Sequence, residues 1–281
     1  MRSKPFGWTG VEVPVIGQGT WRMGGSRRAH ATELEALRAG LELGMTHLDT
    51  AEMYGDGGAE SQLSELIRDR RRDELFITSK VLPQHASRRG TVTACEQTLR
   101  RLGTDHLDLY LLHWPGRHPI GDTMQAMEEL VAAGKTRFIG VSNFDLDELR
   151  EAMAALTRER LACNQLLYNL SERGIELELI PFCATAGIAV VGYTPFGGWP
   201  RRGDGLALLE RIGTAQGRTA RQVGLAFLTR QANLFAIPKA ADPAHARDNA
   251  GAADVVLSAA DLAAIDAAFP APRRRVPLAT A

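Results

Sequence analysis

The sequence predicts a (β/α)8 TIM barrel preceded by an N-terminal β-hairpin. Three observations carry this prediction. Eight short, almost continuously apolar runs alternate with stretches of helical periodicity, the pattern of parallel strands covered on both faces. Nothing in their order suggests the strand-order switch of a doubly wound sheet. Four polar side chains end or closely follow successive runs, at the rim where such barrels carry their chemistry.

Element by element, the hairpin comes first, with residues 11–16 as its clearer strand. The barrel opens with a strand at 17–20 and a helix at 32–43, stopped by Gly44. Strand 46–50 leads to helix 59–68, strand 75–80 to helix 91–102 and Gly103, and strand 107–113 to helix 122–133 and Gly134. Strand 138–142 leads to helix 146–155, and strand 162–166 to helix 176–186 and Gly187. Glycine at each of those four stops supplies the left-handed residue that ends a helix. Strand 189–193 is followed by two helices, 205–216 and 220–231. The last strand, 235–238, is followed by helices 243–253 and 260–269. The tail from Pro270, with RRR and three prolines, is expected to be poorly ordered or laid over the surface.

The 281 residues fit one domain, 1–281, with no linker-like segment. Basic and acidic residues balance at 33 each, so no net field draws the chain to nucleic acid or membrane. No apolar run spans a bilayer, and MRSKPFGWTG lacks a signal-peptide core, so a cytoplasmic location is expected. Cys95, Cys163 and Cys183 lack metal-type spacing and read as reduced cysteines; no metal is expected. Nearly all basic residues are arginine. Lysine stands only at positions 4, 80, 135 and 239, which singles out Lys80 and Lys239 as positions where a compact ammonium is wanted.

Asp49 closes THLDT, Tyr54 follows it in the loop, Lys80 closes LFITSK and His113 closes HLDLYLLH. A phenol titrates near ~10 and needs help to exchange its proton at neutral pH. An ammonium beside it lowers that value, a carboxylate holds the ammonium, and an imidazole orients or relays to a carbonyl oxygen. Such a set protonates a carbonyl oxygen as it becomes an alkoxide. Taken singly, Asp49 reads as a helix cap, Lys80 as a surface charge, His113 as an interior histidine and Tyr54 as packing. Their joint placement at one rim favours catalysis. GQGTW fails the dinucleotide fingerprint, which argues against a Rossmann domain, and GWPRRGDG lacks the glycine nest of a phosphate loop.

The ordered set HLDTAEMYG, SK, LLHWP, IGVSNF, NQLLYN, YTPFGG and IPKAADPAHARDN resembles the aldo-keto reductases over essentially the whole chain, most closely the bacterial methylglyoxal-reducing members. The resemblance implies an NADPH-dependent reductase of aldehydes and ketones, with NADH as the alternative cofactor, on a barrel without a Rossmann domain. Asp49, Tyr54, Lys80 and His113 would be the catalytic tetrad, with Tyr54 the proton donor. Ser142, Asn143 and Gln165 would bond the nicotinamide carboxamide, and Tyr193 would stack on its ring. Gly19, Thr20, Trp21, Thr194, Pro195 and Phe196 would complete the cofactor surface. At the adenine end Lys239 would meet the 2′-phosphate and Asp248 with Asn249 the adenine. Ala240 replaces the usual serine there, and His245 the usual arginine; Arg247 reads as a solvated helix residue. Trp21 and Trp114 would wall the substrate pocket. Short loops and a tail without an aromatic lid imply an open pocket for small carbonyls such as methylglyoxal, other 2-oxoaldehydes and aromatic aldehydes. The resemblance also admits an NADPH-binding redox sensor docked on a partner protein. No extension for such a partner is visible, and a monomer is expected.

Overall fold

The computed structural model describes all 281 residues. Two short antiparallel strands, β1 (Ser3–Pro5) and β2 (Glu12–Pro14), form the hairpin. Its second strand is shorter than residues 11–16, because Val15 and Ile16 already turn into the barrel seam. Eight parallel strands follow in sequential order: β3 (Gln18–Gly19), β4 (His47–Asp49), β5 (Phe76–Val81), β6 (Leu107–Leu112), β7 (Thr136–Ser142), β8 (Leu161–Leu167), β9 (Ala189–Tyr193) and β10 (Leu234–Ala236). The curled sheet meets itself where the Gly17 N–H donates to the Ala236 carbonyl at 2.8 Å and the Ala236 N–H to the Val15 carbonyl at 3.0 Å. A side chain at Gly19 would lie 2.7 Å from the Ile237 carbonyl oxygen, so glycine permits the close approach of the seam. The (β/α)8 fold and the N-terminal hairpin are as the sequence predicts.

Ten helices cover the sheet: α1 (His30–Glu42), α2 (Gly58–Arg68), α3 (Arg88–Leu102), α4 (Ile120–Ala132), α5 (Leu146–Ala155), α6 (Leu179–Ala186), α7 (Asp204–Thr214), α8 (Ala220–Leu228), α9 (Pro243–Ala250) and α10 (Ala259–Ala268). All four expected stop glycines have left-handed φ, between 67° and 87°. Helix α6 begins three residues later than expected. Residues Gly174–Glu176 form a separate 3-10 turn, and the Glu176 carboxylate accepts hydrogen bonds from Arg173, Tyr168 and Arg230. Helix α9 also ends early and passes into a 3-10 turn, Gly251–Asp254.

Alternation along the strands sorts the core into two layers. Leu48, Ile77, Tyr110 and Leu112 face the helices, whereas Phe76, Leu109, Leu111, Val191 and Phe235 fill the barrel. Phe6 of the hairpin closes the N-terminal end, its ring centroid 5.0 Å from both Phe76 and Phe235. The same alternation carries Asp49, Lys80, Gln165 and Tyr193 to the opposite rim. The tail is laid over the surface there: Arg275 pairs with Glu178 at 3.4 Å, and Val276 and Leu278 pack against Gly174 and the core.

Candidate active site

Lys80 is the best-buried charge of the rim, fully enclosed and without solvent contact. Its Nζ donates to Asp49 Oδ1 at 2.7 Å, to the Thr50 carbonyl at 2.8 Å and to the Tyr54 hydroxyl at 3.2 Å. Three donors meet three acceptors, so the ammonium is fully satisfied. Burial works against its charge, but Asp49 and the Tyr54 hydroxyl outweigh it and leave the Lys80 pKa above the ordinary lysine value. Asp49 and Lys80 reach one another because β4 pairs with β5 in a register that sets Asp49 opposite Thr78, two residues before Lys80.

Tyr54 departs from expectation in one respect. Burial raises its pKa above the ordinary phenol value, and the opposing pull of Lys80 only partly offsets this. The phenol therefore holds its proton throughout neutral pH. The Tyr54 and His113 rings meet edge to face at 5.7 Å. Burial, reinforced by the Lys80 charge, brings the His113 pKa down to about 2, so its imidazole is neutral. Its Nδ1 is buried without a partner.

Around this group lies a cavity of about 170 Å³ lined by Gly19, Trp21, Asp49, Tyr54, His113, Trp114, Ser142, Asn143, Gln165, Tyr193, Thr194 and Lys239. Expected residues from seven of the eight strand ends and their following loops thus line one cavity. Ser142 Oγ donates to the Gln165 carbonyl at 2.9 Å. Asn143 Nδ2 donates to the His113 carbonyl at 3.0 Å, and Asn143 Oδ1 accepts from the Tyr193 hydroxyl at 2.7 Å. The four non-glycine residues with left-handed φ are Arg22, Asp56, Asn143 and Thr194. Each lines the cavity or lies within two residues of a side chain that does. Such conformations cost about 1–3 kcal/mol each and gather where a fold holds a functional geometry.

Other expected residues stand apart from the cavity. Thr20 is buried, with its Oγ1 donating to the Asp49 carbonyl at 3.0 Å, and does not line the cavity. Phe196 packs edge-on against Trp199 at 5.4 Å with the Arg221 guanidinium over its ring, and neither it nor Pro195 lines the cavity. Ala240 and the α9 residues His245, Asp248 and Asn249 lie outside it as well; Asp248 Oδ1 accepts from Thr219 Oγ1 at 3.0 Å.

Met53, Ile237 and Ala281 line the cavity without having been singled out in the sequence. Met53 is the neighbour of Tyr54 and Ile237 follows β10 by one residue, so their positions were the available signal. Ala281 had none. Its backbone N–H donates to the Tyr193 hydroxyl at 3.3 Å, so the end of the surface-laid tail reaches the cavity.

The chain is 44% identical over 282 residues to methylglyoxal reductase YeaE of Escherichia coli, with 99% of each chain covered. It is 33% identical to the glyoxal reductase of Bacillus subtilis, over 92% of this chain and 90% of that one. Its structure superposes on an aldo-keto reductase of Klebsiella pneumoniae, crystallised with NADPH, at a TM-score of 0.93 and 42% identity over the whole of both chains. The sequence profile of the aldo/keto reductase family matches residues 15–269, and with it this chain belongs to the aldo/keto reductase family.

Proposed function

We propose that this protein reduces small aldehydes and ketones, 2-oxoaldehydes such as methylglyoxal foremost, with NADPH as the hydride source and Tyr54 as the proton donor. The observation that carries the reading is the occupancy of Lys80. Its third N–H is given to the Tyr54 oxygen, and an ammonium can only donate. The phenol's own hydrogen is thereby left to point away from Lys80, and Tyr54 lines the cavity.

The cavity suits a carboxamide-bearing ring. Tyr193 offers a flat face, Ser142 and Gln165 offer a hydroxyl and an amide, and no donor of the protein reaches Gln165 Oε1. Lys239 supplies a cation at its edge for the phosphate end. Bound NADPH supplies the hydride. The neutral imidazole of His113 then orients the carbonyl oxygen by donating an N–H, and Tyr54 delivers the proton as negative charge develops there. Lys80 and Asp49 hold Tyr54 in place and stabilise the phenolate it leaves behind. The 2-oxoaldehyde preference rests on the two relatives named for methylglyoxal and glyoxal.

The test follows NADPH absorbance with methylglyoxal and benzaldehyde for the wild type and Tyr54→Phe, with cofactor affinity measured by fluorescence quenching. Tyr54→Phe is expected to bind NADPH as the wild type does and to lose about 100-fold or more in kcat. Retained turnover removes Tyr54 from the role of acid.

A further inference from the structure

The Asp49 carboxylate divides its two oxygens between different partners. Oδ1 accepts from Lys80 Nζ at 2.7 Å, and Oδ2 accepts from Gln165 Nε2 at 2.7 Å across the barrel, 116 residues away in sequence. Asp49 is 1% exposed and Gln165 2%, so water substitutes for neither bond. Only the nitrogen of an amide can face a carboxylate, which fixes the orientation of the Gln165 side chain.

We propose that Gln165 is a positioning residue for proton transfer, holding Asp49 so that Lys80 remains shared between the carboxylate and the Tyr54 hydroxyl. The inference rests on the reading of Tyr54 as the acid. Among the three bonds of Lys80, that to Tyr54 is the longest at 3.2 Å and the first to give. Without the Gln165 donor, Asp49 Oδ2 is a bare anionic oxygen inside the barrel. It is then satisfied only by turning both carboxylate oxygens onto Lys80, which draws the ammonium away from Tyr54. That shift deprives the phenol of the charge that opposes its burial. Gln165 thus acts on the phenol through two intermediaries, separately from any contact its Oε1 makes in the cavity.

Three variants test this. Gln165→Met keeps the volume and removes the donor. Gln165→Glu restores the donor only when its carboxyl is protonated. Ser142→Ala alters the neighbouring cavity wall and leaves Asp49 untouched. Ultraviolet titration of the cofactor-free protein, with Tyr54→Phe subtracted, isolates the ionisation of Tyr54. It is expected to move to higher pH in Gln165→Met and to stay in place in Ser142→Ala. Aldehyde reduction by Gln165→Met is expected to fall about 10- to 100-fold in kcat. Gln165→Glu should regain activity on acidification, over a range where the wild type is level. A Tyr54 titration unmoved in Gln165→Met, or a Gln165→Glu variant that parallels Gln165→Met at every pH, overturns the inference. The titration needs no turnover, so failure of the positioning role is distinct from failure of Tyr54 as the acid, which Tyr54→Phe kinetics reports.

Discussion

His113 and Tyr54 stand side by side at the rim, and their surroundings push their proton equilibria apart. Burial and the Lys80 charge keep His113 neutral, its pKa near about 2. Burial keeps Tyr54 protonated beyond its ordinary value. On the proposed reading only one of the two is an acid at working pH. Reduction needs the phenol in its protonated form, so kcat for an aldehyde should be level from about pH 5 to about pH 9 and fall only above the ordinary phenol value of ~10. Oxidation of the alcohol needs the phenolate and should rise with pH instead. Steady-state profiles in both directions check this; an inflection of the reductive kcat near pH ~6.5 that vanishes in His113→Asn would contradict the neutral imidazole. The grouping of Asp49, Tyr54, Lys80 and His113 at one rim was legible because each ends or follows an apolar run, and periodicity two sends strand residues of like parity to one face. The tie between Gln165 and Asp49 was not legible, since a contact across 116 residues leaves no local pattern. Nor was the net direction at Tyr54, because burial there depends on the closed barrel.

At the scale of elements, local chemistry was readable and committed side chains were not. Helix α5 begins where expected because Asp145 and Glu148 form a reciprocal capping box. Helix α6 does not, because Glu176 is engaged by Arg173 and Tyr168 just before it and by Arg230 from a distant helix end. Glu128 of α4 is a second case. It is 3% exposed, and its carboxylate accepts the backbone N–H groups of Thr157, Arg158 and Glu159, which fixes the turn after α5. Burial disfavours its charge, but those N–H bonds outweigh it and bring the Glu128 pKa down to about 2. A folded value below the unfolded one makes this stability present above about pH 4.5 and lost as the pH falls through about 2. Glu128→Gln should therefore destabilise the protein by about 1–3 kcal/mol at neutral pH. The difference from wild type should narrow on acidification. Chemical denaturation across this range checks both parts, and a difference independent of pH would place the loss elsewhere.

The molecule as a whole separates chemistry from closure. The proposed reacting groups occupy the C-terminal rim, while the opposite end is sealed by a hairpin whose Phe6 is fully buried between Phe76 and Phe235. The eightfold alternation of strand and helix was readable from hydrophobic periodicity alone. The seam between β3 and β10, the depth of the Phe6 plug and the path of the tail to Tyr193 were not, since each joins segments distant in the chain. Inward positions on β5 run Phe76, Thr78, Lys80, so the plug lies two side-chain layers beneath the ammonium. Phe6→Ala should cost about 3–5 kcal/mol of folding stability, the transfer of a buried ring plus the cavity it leaves. The Lys80, Asp49 and Tyr54 bonds, made at the far rim, should persist in the molecules that remain folded. The expected result is a lower denaturant midpoint with an unchanged slope, and kcat per folded molecule within about twofold of wild type. Loss of kcat at full stability would mean that the two ends of the barrel are mechanically coupled, and that the plug helps to set the spacing of the catalytic strands.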